Sequence, residues 1–178
     1  MEVLRDGRRF LLADTGVMIR PNLAKKIEIL HSALEVARAL GADVPKIALM
    51  AANEAPTIAM PETIEAAELQ RRNREGEFPD CHIQGPLSFD LAYAAADADT
   101  KRVAGPVVGA ADVMIFPGLA AANLTVKAIM YTADCRFGGV LFGTSHPVVF
   151  MSRADRTATR LHSLALALKL DAASADRG

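Results

Sequence analysis

Tryptophan is absent, tyrosine occurs twice, and aromatic residues fill only 5% of 178 positions, so any core rests on the aliphatic share of a 51% hydrophobic composition. Cys81 and Cys135 are the only cysteines and lack the paired spacing of a zinc or disulfide framework. They fit a reducing compartment, with both thiols expected in the interior and the cytoplasm as the expected location. Neither sign of charge dominates: 20 basic against 21 acidic residues leave a net charge of −1. That excludes the electrostatic footprint of a nucleic-acid binder. No uninterrupted apolar run reaches spanning length, because Pro117, Gly118 and Asn123 break the nearest candidate, residues 113–126. Charges also occupy the start, MEVLRDGRRF, where a signal peptide needs an apolar stretch. No metal is expected, since no HExxH or comparable ligand spacing occurs. Walker, GxGxxG and GxSxG motifs are missing too.

What is present alternates. RFLLA (9–13), KIALM (46–50), residues 80–84, DVMIF (112–116), GGVLF (138–142) and residues 148–151 read as short apolar strands. Between them lie helical stretches. The clearest carries Leu23, Ile27, Leu30, Leu34, Ala37 and Leu40 as a stripe, with Gly41 as its stop. Pro61 suits the first position of a helix over 62–73. Gly85-Pro86 reads as a turn into a helix near 88–95, and residues 94–102 as an exposed polar segment. Residues 120–132 read as a helix with Leu124, Ala128 and Tyr131 inward. Such alternation predicts an α/β fold with a largely parallel sheet, whose ligands lie beyond the carboxyl ends of the strands.

The stretch PVVFMSRADRTATRLHSLALAL (147–168) concentrates the chemistry. A strand running into a helix start presents free N–H groups to an anion, and Arg153 adds a fork that matches phosphate oxygens. Ser152-x-x-Asp155 is equally a variant of the capping box, a purely structural device. Asn123 and Lys127 stand one turn apart on one helix face, where they form either an anion-binding pair or a solvated one. His146 lies near Ser152, but a hydrolase triad lacks its elbow motif.

Six segments, in order, carry a resemblance: LLADTGVMIRPNLAKKIEIL, KIALMAANE, MPETIEAAEL, IQGPLSFDLA, AGPVVGAADVMIFPGLAAANLTVKA and the 147–168 stretch. Together they are similar to the phosphate acetyl/butyryltransferase family, and closer to its butyryltransferase-like branch. The resemblance implies the reversible reaction acyl-CoA plus phosphate to acyl phosphate plus coenzyme A, over the acetyl to butyryl range. Acyl-CoA and inorganic phosphate or acyl phosphate are then substrates, with no cofactor and no metal.

It further implies a three-layer α/β fold of the isocitrate/isopropylmalate dehydrogenase type, and a homodimer formed through the second domain. Ser152, Arg153 and Asp155 would be the catalytic residues, with Asn123, Lys127, Gly85 and Pro86 binding substrate. Where relatives carry a lysine shortly before the proline, this chain has Ser145-His146. The match begins in the middle of the family pattern. Residues 1–151 are therefore expected to form the second domain, 152–170 a helix that packs on an absent first domain, and 171–178 a frayed tail. The alternative is a catalytically silent module for interaction or dimerisation.

Overall fold

The computed structural model describes residues 1–94, 102–149, 152 and 155–175. Its seven strands are β1 (Glu2–Val3), β2 (Arg8–Arg9), β3 (Leu11–Ala13), β4 (Lys46–Met50), β5 (His82–Leu87), β6 (Val113–Ile115) and β7 (Cys135–Arg136). The helices are α1 (Leu23–Ala39), α2 (Pro61–Arg74), α3 (Phe89–Tyr93), α4 (Leu119–Thr132) and α5 (Thr157–Ala175).

Four strands form a parallel sheet in the order β3-β6-β4-β5. Residues 47–50 and 113–115 of its two central strands are all buried, as parallel strands covered on both faces must be. Alternation along β4 divides the core. Ile47 and Leu49 join Leu30, Leu34 and Ala37 of α1 and Ala66 and Leu69 of α2 on one face. Ala48 and Met50 join Leu91 of α3, Val107 and Ala122 of α4 on the other. The result is the expected three-layer body.

The remaining strands make a small antiparallel sheet, β2-β1-β7, with Glu2 opposite Arg136. The expected single strand over 9–13 is thus two. The chain crosses from the small sheet to the large one at Phe10, which is buried.

Local chemistry sets the helix ends. Asn22 caps α1 by accepting from the Lys25 N–H at 3.0 Å. At its other end Gly41 takes φ +103°, its N–H bonds Arg38 O at 3.0 Å, and the Ala42 N–H bonds Ala37 O at 3.0 Å. That is a Schellman motif, and it makes the expected stop at Gly41 a physical one. Pro61 occupies the first turn of α2 as expected. Buried Lys26 of α1 pairs with Glu65 of α2 and ties the two helices together on their shared face of the sheet.

Several expectations change. Gly85-Pro86 is not a turn: β5 continues through it to Leu87 with a shift of register against β4, Ala48 standing opposite Gln84 and Met50 opposite Leu87, and both residues are buried. A Cβ on Gly85 would stand 2.6 Å from Leu49 Cβ and 2.8 Å from Leu49 O, so only glycine lets β5 lie this close to β4. Residues 138–142 and 148 form no ladder among the described residues; they meet only at the bridge Leu141–Val148, with paired bonds of 2.7 and 3.0 Å. Residues 150–151 of that expected strand, and 95–101 of the expected polar segment, lie outside the described residues.

The last helix begins at Thr157, and it persists through Ala175 rather than fraying after Lys169. Buried Leu170 anchors its end, Ser174 Oγ donates to Leu170 O at 3.0 Å, and Asp171 meets His146 Nδ1 at 2.9 Å. Residues 176–178 lie outside the described residues. Helix α5 packs on α1 and over Gly138 through Ser163 and Ala167. Its leucines 161, 164 and 168 face outward at 61, 49 and 63% exposure.

Candidate active site

Helix α4 leaves the carboxyl end of β6 through Gly118. A Cβ there would lie 2.7 Å from Ile19 O, so the helix starts tight against the loop after β3. Ala122 and Val126 turn inward, and their small size lets α4 sit close to the sheet. The expected inward face is corrected. Leu124 and Tyr131 are 71 and 72% exposed, and Ala128 is exposed too. This helix is apolar on two sides, so periodicity selected the wrong one. Asn123 is exposed and Lys127, one turn on, is half-buried.

Lys127 reaches a pocket of about 150 Å³ between α4, β7 and the start of α5. Tyr131, Arg136, Asp155, Arg156 and His162 also line it. Two of the sequence-selected residues, Lys127 and Asp155, therefore share one cavity. Ser152 adjoins them: its N–H donates to Asp155 Oδ2 at 2.7 Å, and the Asp155 N–H donates to Ser152 O at 3.1 Å. This is the carboxylate half of a capping box, but Ser152 is not the N-cap of α5. The first bond of that helix goes from the Arg160 N–H to Arg156 O. Arg153 lies outside the described residues. Gly85 and Pro86 are not brought to this pocket; they sit on β5, at the opposite edge of the sheet from β3.

Arg136, Arg156 and His162 were missed by sequence reasoning. Arg156 was reachable, since it follows Asp155 in the same stretch. Arg136 had no local signal, because only the β1–β7 pairing carries it there. Cys135 also lines the pocket, and burial pushes its thiol above the ordinary cysteine value. It stays protonated at neutral pH and is a poor nucleophile.

Two larger cavities adjoin this pocket through Phe137, which lines all three. One, of about 420 Å³, opens at the carboxyl end of β3 and is walled by Leu12, Met18, Ile29, Val36, Leu141 and Phe142. The other, of about 600 Å³, lies between Leu11, Leu40 and Leu166 but is also lined by Glu2, Arg9, Asp112 and Lys169, with Arg136 and His162 shared with the small pocket. A cation-rich pocket beside an aliphatic-walled cavity suits a ligand that is anionic at one end and aliphatic along its length.

The architecture is that of the phosphotransacylases. The crystal structure of a branched-chain phosphotransacylase from Enterococcus faecalis V583 matches with a TM-score of 0.87 and 36% identity, over 95% of this chain and 60% of that one. Phosphate butyryltransferase of Clostridium acetobutylicum is 39% identical over 166 residues, 93% of this chain and 55% of the relative. Phosphate acetyltransferase of Thermotoga maritima is 34% identical over 93% of this chain and 56% of its own length. The family model for phosphate acetyl/butaryl transferase matches residues 1–168, and the chain belongs to that family. It spans about half the length of the curated relatives it matches.

Proposed function

We propose that this chain carries the second α/β domain and the final helix of a phosphate acyltransferase, interconverting acyl-CoA plus phosphate with acyl phosphate plus coenzyme A. The observation that carries the reading is the meeting of Lys127 and Asp155 in one cation-rich pocket that shares Phe137 with a cavity walled largely by aliphatic side chains. Phosphate brings its own nucleophilic oxygen, so the protein has to hold it against the thioester carbonyl and stabilise the charge that develops there. Ser152 and Arg153 are assigned to the phosphate, Lys127 with Asn123 to anionic oxygens, and Asp155 to the thiol proton. The aliphatic-walled cavity of about 420 Å³ takes the acyl and thioester portion, in the acetyl to butyryl range. The reaction requires no metal and no redox cofactor.

In this reading the outward leucines of α5 are where the first domain of the family packs, and the outward apolar face of α4 is where a second copy of the chain docks. No helix among the described residues is long and apolar enough to cross a membrane, and a cytoplasmic location suits the free thiols. The test mixes the chain with acetyl-, propionyl- or butyryl-CoA and phosphate and follows free thiol, with and without the first half of a relative supplied in trans. Phosphate-dependent thiol release is the expected result. Its absence in both arms would overturn the reading.

A further inference from the structure

The small pocket holds more positive charge than its neighbours neutralise. Lys127, Arg136 and Arg156 bring three permanent cations from α4, β7 and the residue just before α5, and His162 adds an imidazole one turn into that helix. Lys127, Arg156 and His162 make no ion pair or side-chain hydrogen bond among the described residues. Arg136 is held only by Glu2, through Nη1 to Oε2 at 3.3 Å, and Glu2 also serves Arg9 at 2.8 Å. Among the described residues Asp155 is the single carboxylate in the lining, and one of its oxygens is occupied by the Ser152 N–H.

Ala158 and Thr159 of the first turn of α5 complete the wall, and that turn carries no acidic side chain to offset its dipole. The cations arrive from three separate elements around a space of about 150 Å³, which admits a tetrahedral oxyanion and not a whole nucleotide. A carboxylate brings two oxygens and one charge; a phosphoryl dianion brings at least three oxygens and nearly two charges, and so matches more of these cations.

We infer that this pocket is a phosphoryl-binding site built by Arg136, Arg156 and His162 together with Lys127. The inference rests on the acyltransferase reading only for the source of the phosphoryl group, which is either the reactant orthophosphate or a phosphate of the coenzyme A nucleotide. Arg136 gives the site a structural link as well. Its Glu2 contact and its place on β7 tie the phosphoryl pocket to the small sheet, so the site depends on that sheet being formed.

Titration calorimetry at constant ionic strength tests it on the intact chain, with inorganic phosphate in one arm, adenosine 3′,5′-bisphosphate in a second and chloride as the reference. Saturable binding in either phosphate arm is expected, and the tighter arm identifies the source. Arg136→Gln combined with Arg156→Gln should weaken that binding at least tenfold, while Arg74→Gln, on the far end of α2, should leave it unchanged. Circular dichroism of the double variant keeps loss of fold separate, since both side chains are exposed. No saturable binding in either arm, or equal binding by the folded double variant, would overturn the site. Thiol release without pocket-dependent phosphate binding would overturn the site and leave the acyltransferase reading standing. Pocket-dependent binding without thiol release would do the reverse.

Discussion

Asp155 Oδ2 accepts a 2.7 Å hydrogen bond from the backbone N–H of Ser152, and so one carboxylate both shapes the turn before α5 and faces the cationic pocket. The two duties separate in one variant. Asp155→Asn keeps an oxygen acceptor for the Ser152 N–H but cannot take or give a proton at neutral pH. It should fold with unchanged thermal stability and lose roughly 100-fold or more in turnover, the scale of general acid–base catalysis. Steady-state thiol release beside a melting curve checks it. Equal losses of stability and turnover would mean that the carboxylate serves the turn alone.

Glu68 accepts from Arg71 Nε and Nη2 at 2.9 Å each and from Arg72 Nε at 2.8 Å. The Arg71 bonds first, and the Arg72 bond after them, hold its carboxyl at about 2 against an ordinary 4.5. A depressed carboxylate contributes in full above the ordinary value and loses its contribution as pH falls from 4.5 toward 2. A carbon-detected NMR titration should place the Glu68 midpoint near 2, and Arg71→Gln should move it upward. Amide exchange along the last turns of α2 should accelerate through the same window.

Gly85→Ala drives a methyl group into Leu49 and Ala66 in the middle of the body. Overpacking of this kind costs about 1–3 kcal/mol. Urea denaturation should show a lower midpoint with an unchanged slope. A midpoint equal to wild type would mean that β4 and β5 separate more easily than their spacing indicates.

Leu124 stands out on α4 at 71% exposure, so replacing it with a polar residue should change monomer stability by less than about 0.5 kcal/mol. If this face joins two copies, Leu124→Asp should convert a concentration-dependent dimer to a monomer in analytical ultracentrifugation. A wild-type chain that sediments as a monomer at all concentrations would remove the dimer.

Much of the body was legible because its signals are local. Residues 46–50 and 112–116 read as buried strands from their largely apolar character, and α1 from its stripe and its Gly41 stop. Where the signal was not local, reading by pattern failed. Helix α4 has apolar residues on two faces, and only the sheet beneath it decides that Ala122 and Val126 go in while Leu124 stays out. Gly85-Pro86 has the composition of a turn, yet it lies inside a strand packed so closely on Leu49 that a Cβ on Gly85 would have no room. The site divides the same way. Lys127 and Asp155 came from motifs, but Arg136 reaches them through a pairing that no window of sequence contains.

That pairing has a consequence in time. Glu2 meets Arg136 across 134 residues of chain, and among the described residues β2 is the only other strand beside β1. At the usual 5–20 residues per second of synthesis, β1 waits roughly ten seconds for β7 to emerge. The parallel sheet needs β6 but not β7, so the body can close while the small sheet is still open. The cationic pocket is therefore assembled near the end of folding, and a nascent chain can hold a finished core before it is able to grip an anion.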